Sequence, residues 1–431
     1  MKKIFATLCC IAACTILFSS CSSDDPEIVA TAHVDLVMPD GLTNPVADNI
    51  VLTVKNISTG QTSTIVSEPS RAAEPTATFD GHSVTFTVPE GLYNISLDGD
   101  VTYEVEGNKL TSKLRGVAEN VTISRAMAST PLKINTYLYK SSADGGGFVL
   151  AELFYAMTLT PENKQYSGDS YFVIYNNSSE TLYADGLVIA ETAFQSDMKE
   201  DYKPNIIDEA VTIEAAYRIP GKGHDVPVLP GESILIVDGA IDHREANPNS
   251  FDLRKANFEW YDESSDPDYA DVDNPDVPNL ESVIKTSLTV WTPHIRGVRS
   301  IILCYLGGDA SNPMAMSAED YVKDYHYIYT YDFVWDGEIY PMGDYDGYKI
   351  PNSWVVDCVN LAHLDDVQWM VTSPTLDRGY TYTRETFDDN TSYGLSVRRK
   401  VLSGSVLLDT DDSSHDFLPR QKADPYFKFH E

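Results

Sequence analysis

Basic residues are scarce in this chain, with 31 Lys and Arg against 65 Asp and Glu. Phosphate contacts need clustered cations, so nucleic acid and anionic lipid headgroups are excluded as partners. Cysteine is scarce too. Of six, Cys9, Cys10, Cys14 and Cys21 fall within the first 21 residues, which leaves Cys304 and Cys358. Both sit in apolar runs, IILCYL and WVVDCVN, and read as buried thiols in preference to a bridge, so the core and not a set of staples must hold the fold. Catalytic signatures are missing: there is no H-E-x-x-H, G-x-S-x-G, phosphate-binding glycine loop or Cys-x-x-Cys. His224 beside Asp225, His243 after Asp242 and His415 before Asp416 are lone pairs in turn-rich sequence, and each reads as a satisfied surface histidine. The chain therefore reads as non-catalytic. It also lacks an apolar run long enough to span a bilayer at its start, since IFATLCCIAACTILF covers only residues 4–18 and a span needs ~20 residues.

What that run does have is the form of an export signal. Lys2 and Lys3 precede it and small residues follow it, so residues 1–20 read as a signal peptide that is removed. The next residues, FSSC, resemble the lipobox of bacterial lipoproteins, with Phe18 where Leu is commoner. The resemblance implies that Cys21 becomes the first mature residue and carries fatty acids such as palmitate. Several acyl chains hold a protein to a membrane without spanning it, where one chain is marginal. Residues 21–29 form an acidic tether, and Ser22-Ser23-Asp24-Asp25-Pro26-Glu27 resembles the signal that sends lipoproteins of Bacteroidota to the outer face of the outer membrane. After the cut, 29 basic residues stand beside all 65 acids, a formal charge of −36.

Residues 30–138 read as short strands in period-two alternation, among them HVDLVM, NIVLTVKN, HSVTFTVP and LKINTYLY, divided by Gly, Asn, Asp and Pro turns. This is the pattern of a half-buried antiparallel sandwich. VPEGLYNISLDG (88–99) resembles the hairpin of prealbumin-like and carboxypeptidase-regulatory-like domains, in which Gly91 turns the chain and Tyr93 starts the next strand. Residues 139–147, with SSADGGG at their centre, form a Gly-rich linker that marks a domain boundary.

Residues 148–431 form a second unit of alternating or continuous apolar runs, and an immunoglobulin-like sandwich follows from the pattern itself. FVLAELFYAMT, YFVIYNNSSETLYADGLVIA and VPVLPGESILIVDG, then WVVDCVN, YGLSVRRK and LLDTDDSSHDFLP, are similar in order to the motifs of lamin-tail domains. Val173 or Ile174 stands where that family has an acid, and long insertions separate the motifs. The expected fold is all-β: two tandem Ig-like β-sandwiches, the second lamin-tail-like with long loop insertions.

The insertions, near residues 195–225, 245–295 and 307–350, are the expected binding surface, because long excursions from a sandwich are uncommon unless functional. In the second, alternating Asp266, Asp268, Asp271 and Asp273 could offer Ca²⁺ its oxygens, although the glycine-centred spacing of an EF-hand is absent and a solvated acidic loop is the plainer reading. In the third, Tyr325, Tyr327, Tyr329 and Tyr331 recur every second residue, which on a strand places four rings on one face with Phe333. Such a row stacks on a ligand or partner, or else forms an aromatic core or cross-strand ladder. Trp260, Tyr261, Tyr269 and Trp291 could extend that surface.

The whole resembles a family of outer-membrane surface lipoproteins of Bacteroidota of unknown function. That resemblance implies a partner, a TonB-dependent uptake barrel. The expected function is nutrient capture or docking onto that barrel, with a glycan, a peptide or an iron carrier as ligand. An adhesin or structural surface protein is the first alternative, and an extracellular hydrolase the second.

Overall fold

The computed structural model describes residues 28–429, apart from 40–41, 67–76, 106–107, 128–129, 140–146, 265 and 336. The signal peptide, Cys21, most of the acidic tether and most of the Gly-rich linker lie outside the described residues. The chain is all-β, with two short helices among the described residues, Ala318–Asp324 and Ser413–Asp416.

The first eight strands, from Val29–Val37 to Leu132–Tyr139, form one curled sheet. Alternation decides its faces: Val29–Val37 is buried at every second residue, and Val34, Leu52, Val54, Leu97 and Ile134 close the core without solvent exposure. Strand Gly91–Val105 begins where the sequence placed a hairpin. Tyr93 is buried there, and its hydroxyl donates to the carbonyl of Pro89 at 2.8 Å, pinning the corner.

From Phe148 on, two large sheets face each other. One has six strands, with Phe148–Phe154 and Tyr171–Asn176 at its centre; the other has Leu187–Thr192, Ala210–Arg218 and Ile301–Tyr305. Leu150, Phe172, Ile174 and Ile236 from the first meet Leu187, Ile189, Tyr217 and Leu303 from the second. The outer faces are covered as well, so FVLAELF is buried at all seven positions and shows no alternation. A strand covered on both sides reads as a continuous apolar run.

Part of the sequence expectation needs correction here. The stretch 195–225 is not a loop excursion, because Ala210–Arg218 is a central strand paired with Leu187–Thr192 and with Glu281–Lys285. His243 is satisfied but buried: its Nε2–H donates to the Gly239 carbonyl at 2.8 Å, and its Nδ1 accepts from the Tyr166 hydroxyl at 2.9 Å. Cys304 and Cys358 are free and buried.

Candidate functional site

Two of the aromatic side chains singled out by sequence, Trp260 and Trp291, are structural. Trp260 has no exposed surface and stacks on Phe172 at 5.5 Å; Trp291 is buried between Tyr217 and Trp260, each 5.1 Å away. Neither can extend a binding surface, because both fill the space between the sheets. Tyr327 lies in the expected row, its hydroxyl 2.5 Å from the Thr212 hydroxyl. Tyr329 packs against Phe194 and Tyr202, and burial pushes its phenol up to about 12. Tyr331 stacks on Tyr345 at 5.6 Å, nearer the open end of the row. Tyr325 leaves the row: it caps helix Ala318–Asp324, stacks on Tyr321 and touches Trp354 at 4.5 Å. Tyr261 is half-buried and Tyr269 exposed.

The aspartates of the acidic insertion do not converge. Asp266 accepts from the amide of Asp268 at 3.0 Å, Asp271 from the amides of Asp262 and Val272, and Asp273 from Asn279 at 2.8 Å. Each carboxylate serves its own loop. Among the described residues no group of three or more His, Cys, Asp or Glu could hold a metal ion, so the Ca²⁺ expectation finds no site there. Their neighbour Asp262 is buried and accepts from the Tyr217 hydroxyl at 2.7 Å and the Trp291 amide at 2.8 Å.

A cleft of about 850 Å³ opens instead beside the junction of the two units, a common place for ligand sites. Its aromatic side is Trp354, Tyr305 and the Tyr183–His224 pair, whose rings lie 4.6 Å apart. Trp354 is seated by a glycine. Gly308 has φ +73°, and a Cβ there would stand 2.4 Å from Cδ1 of the indole. Its acidic side is Asp357, Asp409 and Asp411. Arg399 binds the first two, with Nη2 2.8 Å from Asp357 and Nη1 2.9 Å from Asp409. Burial works against the charge of Arg399, but Asp357, Asp409 and Asp416 outweigh it and hold the guanidinium protonated.

Asp411 is the unusual member. Its backbone is left-handed, at φ +51°, in the closing turn LLDTDDSS. Its carbonyl accepts from the amide of Arg378 at 2.9 Å and from Nη1 of Arg115 at 3.0 Å. Arg115 belongs to the first sheet and is 1% exposed, so the two units meet at this turn. The bridge continues through Asp98, which accepts from Arg115 at 3.2 Å and from Arg378 at 3.1 Å, and on to Asp412. Burial, then repulsion from Asp409, raises the Asp411 carboxyl to about 8 against the pull of Arg115 3.9 Å away.

The arrangement offers rings and carboxyl groups to a ligand. The Cys358 thiol at the cleft wall is pushed far up by burial and stands 3.9 Å from the Thr372 hydroxyl. A thiol so held is not a nucleophile. Rings beside carboxylates suit a ligand with apolar faces and N–H or O–H donors, and the acid surplus repels anions. A second, more open hollow of about 610 Å³ is walled by Asp197, Asp365, Asp366 and Asp388 around Phe387, with one aromatic face and less enclosure.

Residues 229–424 match the model of a family described as "Protein of unknown function (DUF4876)". The chain is similar to a DUF4876 family protein from Bacteroides thetaiotaomicron VPI-5482 of known crystal structure, with 18% identity over 92% of this chain and 96% of that one and a TM-score of 0.51. At that identity the likeness shows the fold, and it extends over both units. A mutant form of the major pilin of Streptococcus pyogenes covers 75% of this chain and 94% of its own at 9% identity, but a TM-score of 0.11 carries no argument. No curated protein matches the chain.

Proposed function

We propose that this is a non-catalytic lipoprotein of the outer-membrane surface, held by acylated Cys21, which captures a nutrient in the cleft beside the unit junction and docks onto a TonB-dependent uptake barrel. The observation that carries the reading is the cleft itself, where Trp354 and the Tyr183–His224 pair face Asp357, Asp409 and Asp411. Of the ligands a surface protein of this kind would meet, an anionic iron carrier fits worst, because the acid surplus of the chain as a whole opposes it. A basic peptide fits best, with N–H groups donating to the acidic side, apolar side chains on the rings and its charge drawn by the acid surplus of the chain as a whole; a neutral glycan is the next fit.

The test is titration of the purified chain with Lys- and Arg-containing peptides, neutral oligosaccharides and an anionic iron carrier, read by tryptophan fluorescence in the parent and in Trp354→Phe. Saturable binding of the first or second class that weakens in the variant supports the reading. Binding of the anion alone, or binding indifferent to Trp354, overturns it. Surface anchoring is tested separately, by fatty-acid labelling of the parent against Cys21→Ser and by protease treatment of intact cells.

A further inference from the structure

The second hollow lies at the end of the second unit away from the cleft. Glu191, Ile301 and Val359 are partners across three strands, and the other ends of those strands, at Leu187, Tyr305 and Val355, lie toward the cleft. The chain leaves the near ends to supply the walls of the hollow: Asp197 follows Leu187–Thr192, and Asp365 and Asp366 follow Val355–Val359. Main-chain bonds hold these walls in place. The Gln368 amide donates to the Ser196 carbonyl at 2.8 Å, the Asp365 amide to the Glu385 carbonyl at 2.9 Å, and the Phe387 amide to Oδ2 of Asp366 at 2.6 Å.

Among the described residues Asp365 and Asp388 have no ion-pair partner, and Asp197 and Asp366 have only His363. Two cations stand nearby. Arg296 lies 3.9 Å over the Phe387 ring, and buried Arg384 donates to the Phe387 carbonyl at 3.2 Å. Counted in full against the four wall carboxylates, they leave acid in excess. His363 has no exposed surface, and its Nδ1 stands 4.0 Å from Oδ2 of Asp197 and 4.0 Å from Oδ2 of Asp366, too far to bond either. Neither of its ring nitrogens has a hydrogen-bond partner, nor has the buried Oδ1 of Asp197. Burial, helped by Arg384, pushes the imidazole below its ordinary range against the pull of Asp197, Asp366 and the Arg296 backbone. A neutral ring does not cancel the carboxylates it faces. Buried polar groups are nearly always paired, so an unpartnered imidazole aimed at the walls of a hollow points to a ligand group received there.

We infer that this hollow is a second binding site, which takes the primary ammonium group of an organic ligand between Asp197 and Asp366, with the ligand's carbon chain along Phe387. The spacing decides among cations. An N–H donor stands ~2.9 Å from each acceptor, so one ammonium can serve acceptors held 4.0 Å apart. Ligand atoms on one metal ion crowd closer, at ~2.8–3.4 Å from each other, because each lies only ~2.0–2.4 Å from the ion. A guanidinium bonds a single carboxylate through its flat fork and stacks on a ring, and Arg296 already takes a face of Phe387. The three donors of an ammonium diverge, two toward Asp197 and Asp366 and the third toward Nδ1 of His363 behind them. Lysine side chains and amino sugars both carry this group. The inference does not rest on the cleft.

The test is calorimetric titration of the full mature chain with Nα-acetyl-lysine amide, glucosamine, arginine amide and Ca²⁺, in the parent and in Asp197→Asn, Asp366→Asn and Trp354→Phe. The lysine probe, glucosamine or both should bind saturably, the tighter of the two identifying the source of the ammonium. Acetylating the probe's amine, or either Asn variant, removes a charge-assisted hydrogen bond and should weaken binding about tenfold or more. Trp354→Phe should leave it unchanged. In protein carrying isotopically labelled histidine, the Nδ1 resonance of His363 should move with the bound ammonium and stay still with its acetylated form, a response that a merely structural imidazole does not give. Near-UV spectra and melting check the folding of each variant. No saturable binding, binding that survives acetylation or both Asn variants, or tighter binding of arginine amide or Ca²⁺ overturns the inference. So does ammonium binding lost in Trp354→Phe alone, which assigns the ammonium to the cleft. Ammonium binding lost only in the Asn variants supports this site whether or not the cleft captures a ligand, so the two readings fail separately.

Discussion

Arg115 and Asp411 stand 296 positions apart in sequence, and the guanidinium of the first donates to the carbonyl of the second at 3.0 Å. The contact makes the closing turn of the second unit part of the boundary with the first. It also fixes the position of the cleft carboxylate that burial and Asp409 hold protonated to about pH 8. Fold and site are joined at one residue.

Arg115→Met should therefore loosen the two units. Removing one member of a buried pair costs about 3–5 kcal/mol, and the figure here is lower, about 2 kcal/mol, because Asp98 is 38% exposed and solvent screens it. Urea melts followed separately by tyrosine and tryptophan signals should change from coincident to split. Coincident transitions at the parental midpoint would show that the bridge does not couple the units.

Stability should rise as pH falls from about 8 toward about 5, the reverse of the usual carboxylate behaviour. Asp411 is raised to about 8 and Asp377 to about 7, both chiefly by burial. In that window the folded chain binds more protons than the unfolded chain, whose carboxyls titrate near 4, so the slope of unfolding free energy against pH is negative. Below about pH 4 the two states bind these protons equally and the gain stops growing. Asp411→Asn, which suits a left-handed backbone, should stabilise the protein at pH 8 by on the order of 1 kcal/mol and flatten the slope. Thermal melts from pH 5 to 8.5 measure both.

Much of this architecture could be read from the sequence and some could not, for reasons specific to the residues. Val29–Val37 alternates because one face is wet, and FVLAELF does not because both faces are covered. Trp260 and Trp291 read as surface rings because they flank an acidic run, yet Asp262 in that run is buried and accepts from the Trp291 amide and the Tyr217 hydroxyl; nothing local distinguishes it from exposed Asp268. Tyr325 follows the alternation of its neighbours but belongs to a helix end. The cleft was illegible since Tyr183, His224, Trp354 and Asp411 come from four separate segments. The Gly-Gly at 307–308 beside an apolar strand was the available signal, a backbone that something approaches closely.

Glu152 should be among the most sensitive positions. It is fully buried in the strand Phe148–Phe154, where it accepts from Arg398 at 2.7 Å, the Tyr171 hydroxyl at 2.6 Å and the Ser396 hydroxyl at 2.7 Å. Glu152→Ala leaves two hydroxyl donors and a guanidinium unanswered, at a cost of about 3–5 kcal/mol. Chemical denaturation should show the loss in the second unit. A midpoint within error of the parent would mean that solvent reaches the pair.

Gly308→Ala should separate binding from folding. An alanine at φ +73° is strained by about 1–2 kcal/mol, and its Cβ must displace the Trp354 indole, since the two would otherwise stand 2.4 Å apart. The strand before it, Ile301–Tyr305, is held by ladders on both sides and need not move. The chain should stay folded with a modestly lower melting midpoint, while its tryptophan emission shifts and ligand affinity in the cleft falls tenfold or more, about 1.4 kcal/mol. Trp260→Ala should do the opposite, costing about 3–5 kcal/mol of stability because that ring fills the inter-sheet core. If Gly308→Ala binds as the parent does, Trp354 is not a wall of the site, and capture must be sought elsewhere on the molecule.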